Sequence, residues 1–169
     1  TLQQGHRGLQ PDLAHALMRF VTDAAKVRIA EFADIGAVAM FISDDVAHKT
    51  GPFMSPVHFR SFIAPYHREL VDFGHSLNMK MVLHCDGNIW KILDDVVASG
   101  FDGLNPIEPE AGMALASVKA SYGDRLCLIG NLSIVSLLNS GTPAQVEAEV
   151  IRAISDAGTG GGLVLCDSN

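Results

Sequence analysis

The chain has 169 residues, 48 % of them hydrophobic, which is enough to bury one substantial core, and a single domain is expected. A formal charge of −7, a pI near 5.3 and the absence of any basic run argue against nucleic acid or an anionic membrane as the main partner. No apolar stretch approaches the roughly 20 residues of a bilayer span and the start, Thr1 to Gln10, is polar, so a cytoplasmic location is the expectation.

In chain order, helix-period and strand-like segments alternate. Leu13, Leu17, Phe20, Ala24 and Val27 form one apolar stripe, which predicts a helix from Pro11 to about Asp34. Ala37 to Ile42 is a short unbroken apolar run, as for a strand covered on both faces by helices. A long loop follows, Asp44 to Ser55. Ser55-Pro56 reads as an N-cap with proline at the first helical position, and Phe59, Phe62, Tyr66, Leu70, Phe73 and Leu77 mark the buried face of the next helix, which Asn78 ends.

Met79 to His84 is the second predicted strand. A short helix carries Ile89, Ile92, Val96 and Val97 and stops at Gly100; Phe101 to Asn105 is the third strand and Met113 to Tyr122 the following helix. Leu126 to Gly130 is strand four. Thr142-Pro143-Ala144-Gln145 is a capping box that opens a helix with Val146, Val150 and Ile154, and Gly162 to Cys166 is strand five.

The two sets of connections differ. Those leading into strands (Asn78, Ser99-Gly100, Tyr122-Gly123-Asp124, Gly158 to Gly161) are short and built of turn residues. Those leading out of strands hold Asp44, Asp45, His48, His84, Asp86, Asn88, Asn105, Glu108, Asn131 and Asp167. In parallel α/β folds the reacting groups gather at the carboxyl ends of the strands, so this asymmetry predicts one working face. A doubly wound sheet and part of an eight-stranded barrel both satisfy the pattern.

Asp44, Asp45, His84, Asp86 and Glu108 are the candidate catalytic residues, and Asn88, Asn105 and Asn131 the candidate substrate-binding ones. Each has a structural alternative. His84 could be a core histidine satisfied by a carbonyl, Asp86 an N-cap and Asn131 a loop tether. Of the adjacent pair Asp44 and Asp45, one is expected in the pocket and the other as a loop anchor. Glu110 is expected in solvent, Trp90 as a loop anchor, Cys127 in packing, and His15, His58, His67 and His75 on helix surfaces. The three cysteines, Cys85, Cys127 and Cys166, include no close pair, which leaves thiol or metal chemistry open rather than a disulfide framework.

The ordered motifs Phe41-Ile42-Ser43-Asp44-Asp45, Gly51-Pro52-Phe53-Met54-Ser55-Pro56, His84-Cys85-Asp86-Gly87-Asn88, Tyr122-Gly123-Asp124, Gly130-Asn131-Leu132, Gly141-Thr142-Pro143 and Gly160-Gly161-Gly162 resemble those of the uroporphyrinogen decarboxylase family. That family also includes corrinoid-dependent methyltransferases, and the likeness covers about residues 30 to 169. The resemblance implies a (β/α)8 TIM barrel of which this chain matches the last five β/α units, hence a partial barrel belonging to a longer protein.

The resemblance also bears on chemistry. Zinc-using methyltransferases of the family hold the metal with a His-x-Cys pair and a later Cys, and the metal converts a thiol substrate to the thiolate that accepts the methyl group. His84 matches the first ligand, Asp86 stands where the second Cys would be, and Cys166 falls short of the late position. On a strand His84 and Asp86 share a face and Cys85 points the other way. The methyltransferase-like branch, with a small-molecule acceptor and a corrinoid protein as partner, is therefore preferred to the decarboxylase branch. A tetrapyrrole polycarboxylate calls for arginines at the strand ends, and Arg7, Arg19, Arg28, Arg60, Arg68, Arg125 and Arg152 all fall elsewhere. Two non-enzymatic readings stay open: a corrinoid- or nucleotide-binding module, and a structural half-barrel. Against the former, Asp45-Val46-Ala47-His48-Lys49-Thr50-Gly51 has one residue too many for an Asp-x-His-x-x-Gly motif, and the glycine cluster precedes a strand instead of following one. Self-association into a homo-oligomer is left open.

Overall fold

The structure is a computed structural model and describes residues 10–168. Its elements are helix α1 (Pro11–Asp34), strand β1 (Ala39–Ser43), helices α2 (Pro56–Phe62) and α3 (Ala64–Ser76), β2 (Lys80–His84), α4 (Leu93–Ala98), β3 (Gly103–Asn105), α5 (Leu115–Tyr122), β4 (Cys127–Leu132), α6 (Pro143–Ala157) and β5 (Leu163–Asp167). A two-residue hairpin, Ala47–His48 with Gly51–Pro52, lies in the long loop after β1, and a π-helical turn, Ile134–Leu138, follows β4.

The five strands are parallel and neighbour one another in chain order, β1-β2-β3-β4-β5. A doubly wound sheet reverses its order at a switch point and carries helices on both faces. Neither occurs among the described residues. Register puts Ile42, Leu83 and Leu104 abreast, then Leu104 with Leu128 and Leu128 with Leu163, so one face is a continuous apolar layer. Ile42, Met81, Leu83, Leu104 and Leu128 are buried in it, and Gly74 of α3 lets that helix approach Met81 closely. The alternate residues form the other face: Phe41 beside Val82 beside Gly103, and Ser43 beside His84 beside Asn105. There Phe41 and Val164 are 47 % and 50 % exposed, so no layer of helices among the described residues covers them. Sequential parallel strands with helices on one side are a partial TIM-barrel-like α/β fold, and the uncovered face is its inner wall. The expectation of a first strand covered by helices on both faces is corrected accordingly.

Local sequence accounts for the element ends. Ser55 caps α2 by accepting from the His58 amide at 3.2 Å, and Thr142 with Gln145 forms the expected capping box of α6. The single helix expected from Pro56 to Asn78 is broken at Ile63, because Pro65 lacks the amide hydrogen that would continue the ladder. Helix α1 has the expected span, yet its apolar stripe does not face the core. Met18, Thr22, Ala25, Ile29 and Ala33 pack inward, whereas Leu13, Leu17, Phe20, Ala24 and Val27 are exposed, Phe20 by 72 %. The stripe was legible as helical; among the described residues nothing covers it.

Candidate functional site

Parallel register brings the carboxyl ends of β1, β2 and β3 to one level. The Asp44 amide donates to the His84 carbonyl at 3.0 Å and the Cys85 amide to the Asn105 carbonyl at 2.9 Å, so the chain leaves each strand at the same height. Asp45 then leans across to β2, where its Oδ1 accepts from the Asp86 amide at 2.8 Å. The outcome is a cluster of Asp45, His84 and Asp86 in which one ligand atom from each lies within 4.8 Å of the others.

The turn carrying Asp86 is held from both sides. Gly87 donates its amide to Glu108 Oε2 at 2.9 Å and the Asn88 amide donates to the His48 carbonyl at 2.9 Å. Gly87 has φ +86° and a Cβ there would stand 2.8 Å from the His48 carbonyl, so the hairpin and this turn pack with no room for a side chain. Burial, then the charges of Asp45 and Glu108, push the Asp86 carboxyl above its ordinary range, against the opposing effect of His84. Asp86 Oδ1 is buried and has no hydrogen-bond partner. That oxygen, a second carboxylate and an imidazole make a donor set that could hold a cation.

The thiols stand apart from this cluster. Cys85 is buried, donates to the Asp86 carbonyl and has its thiol pushed up to about 12, first by burial. Cys166 lies on the inner wall, where its sulfur is 3.6 Å from Asn105 Nδ2, and burial, followed by Asp167, raises its pKa. Cys127, expected in packing, is half-buried beside Gly103.

Other expected residues take different places. Asp44 turns away from the cluster and its Oδ2 lies 2.8 Å from His67 Nε2, so of the adjacent pair only Asp45 joins His84 and Asp86. Asp86 caps no helix; Asn88 does the local work, accepting from the Trp90 amide and donating to the Ala111 carbonyl. Asn131 is buried, donates to the Ile107 carbonyl at 2.8 Å and accepts from Arg152 at 3.2 Å. Glu108 adjoins the cluster but is engaged with Gly87 and, at 3.8 Å, with Lys49. Trp90 anchors its loop by donating to the Gly112 carbonyl.

Sequence reasoning missed three groups. His67, expected on a surface, is 2 % exposed and packs edge-on against Phe59 and Phe101. The signal was present, since Phe59, Ile63, His67 and Gly74 recur on one face at helical spacing. Glu110, expected in solvent, is half-buried and accepts from the hydroxyls of Ser133 and Ser136. Arg152 reaches Asn131 while held between Glu149 and Asp156 on its own helix.

Residues 8–166 match the model of the family described as Uroporphyrinogen decarboxylase (URO-D). The chain is 35 % identical over 143 residues to a methylcobamide:CoM methyltransferase MtaA of Methanosarcina barkeri, covering 85 % of this chain and 40 % of that protein. It is 30 % identical over 156 residues to a uroporphyrinogen decarboxylase of Xanthomonas axonopodis pv. citri, covering 90 % and 41 % respectively. A methylated-thiol–coenzyme M methyltransferase of Methanosarcina mazei is 26 % identical over 136 residues, covering 80 % and 35 %. The chain thus spans 35–41 % of the length of these relatives. By its match over nearly every residue, and with the partial barrel that the match requires, this chain belongs to the uroporphyrinogen decarboxylase (URO-D) family.

Proposed function

We propose that the complete protein transfers a methyl group between a corrinoid carried by a partner protein and a small thiol or related acceptor, with a divalent cation, zinc among the candidates, held by Asp45, His84 and Asp86. The observation that carries this reading is the unpartnered, buried Asp86 oxygen inside a three-ligand cluster at the strand ends. A cation bound there supplies Lewis acidity that lowers the pKa of an acceptor it binds. The chain's own contribution is orientation. Asp45 is fixed by the Asp86 amide, and Glu108 and the hairpin hold the 86–88 turn. With Asp86 in place of a cysteine, the donor set is nitrogen and oxygen, which suits a harder cation than a thiolate site does.

Charge favours this reading over decarboxylation of a tetrapyrrole carboxylate. Asp45, Asp86 and Glu108 make the strand ends negative, and among the described residues no Lys or Arg pairs with Asp45 or Asp86. A polycarboxylate would meet repulsion at this surface, whereas a cation would meet attraction.

The test is metal analysis and methyl transfer on the complete protein and on His84→Ala. Stoichiometric divalent metal is expected in the parent, and both metal and transfer from a methylated corrinoid to a thiol are expected to fall to background in the variant. A metal-free parent whose transfer activity survives His84→Ala overturns the reading. Release of carbon dioxide from a tetrapyrrole carboxylate, without methyl transfer, assigns the other branch.

A further inference from the structure

We propose that Asn105 is the positioning residue that fixes the tautomer of His84, leaving Nε2 as the single basic atom of this imidazole. The two residues are direct partners on the parallel strands β2 and β3 and share the inner face. Asn105 is 5 % exposed, so its amide must find its partners within the protein. Its Nδ2 donates to the Ile129 carbonyl at 3.2 Å and lies 3.6 Å from the Cys166 sulfur. Its Oδ1 lies 2.5 Å from His84 Nδ1.

The orientation of the amide decides the rest. Turned over, Asn105 would set its oxygen against the Ile129 carbonyl, two acceptors facing each other in a buried place, and that carbonyl would lose its donor. With the amide nitrogen committed to Ile129, Oδ1 faces the ring, and an amide oxygen accepts but cannot donate. His84 Nδ1 therefore carries the hydrogen. A neutral imidazole protonated at Nδ1 has its remaining lone pair at Nε2.

Two consequences follow. A cation or a transferable proton meets His84 at Nε2, and Asn105 acts through His84 instead of touching the substrate, because both ends of its amide are satisfied. The tautomer stands on its own; its effect on a cation rests on the function proposed above. An outer partner of this kind holds ring orientation and raises ligand basicity, and its loss costs about 10–100-fold in metal affinity.

The experiment uses the complete protein labelled with 15N-histidine, at alkaline pH, with His84→Gln identifying the resonance. Long-range proton–nitrogen correlations are expected to show the parent solely as the Nδ1–H form and Asn105→Ala as a mixture. Zinc or cobalt(II) affinity is expected to drop about 10–100-fold in Asn105→Ala. An Nε2–H or mixed form in the parent, or an unchanged spectrum in Asn105→Ala, overturns the inference. If Asn105→Ala does not fold, the parent spectrum decides it. If the Nδ1–H form is found and no cation binds, the tautomer inference stands and the cation reading fails by itself.

Discussion

Asp44 and Asp45 are neighbours in the chain, yet their carboxylates serve different partners. One is tied to a buried histidine behind the sheet and the other is presented to the cluster at its end. His67 is what separates them. Removing it strands Asp44 and opens space between Phe59 and Phe101, so His67→Ala is expected to lower stability by about 1–3 kcal/mol in urea denaturation. Gly87→Ala is expected to cost more than about 1 kcal/mol, since the added Cβ meets backbone at a left-handed position, and the same denaturation curves measure it. At this scale the sequence pointed, by residue type and strand-end position, to His84, Asp45 and Asp86, which the structure brings into one cluster. It was silent on Asp44 and Asn131, because an aspartate or asparagine after a strand reads alike whether it faces a pocket or a neighbouring loop.

Helices α1 and α3 are joined by a charged contact: Arg19 reaches Glu69 through both guanidinium nitrogens, and Lys26 pairs with the same carboxylate. The hydrogen bonds from Arg19 and then Lys26 hold the Glu69 carboxyl down at about 2 from an ordinary 4.5. A carboxyl whose folded pKa is depressed contributes stability that is complete above its unfolded value and lost as the pH falls through the folded one. The advantage of the parent over Glu69→Gln in thermal melts is therefore expected in full above pH 4.5 and absent below about 2. Element types and order were legible because apolar periodicity and caps such as Ser55 and Thr142 are local. The break at Ile63 was signalled by Pro65 but outweighed by the continuous stripe from Phe59 to Leu77. The facing of α1 was not legible, because periodicity marks an apolar side without saying what covers it.

In the whole molecule, strand order and the one-sided helix layer settled what alternation could not, a barrel segment over a doubly wound sheet. With the chain spanning 35–41 % of its relatives' length, the exposed stripe of α1 and the open inner wall are proposed to be covered by further β/α units of the complete protein. Residues 1–169 alone are then expected to bind the dye ANS strongly and self-associate, and the complete protein to do neither. Asp45, His84 and Asp86 are proposed to hold a divalent cation without help from a thiolate. Cobalt(II) substitution of the complete protein distinguishes the two ligand sets, because thiolate ligation adds an intense near-ultraviolet charge-transfer band that nitrogen and oxygen ligands do not produce. Uptake with weak visible bands alone, abolished by His84→Ala, is the expected result; no uptake, or a charge-transfer band that disappears with Cys166→Ser, contradicts it.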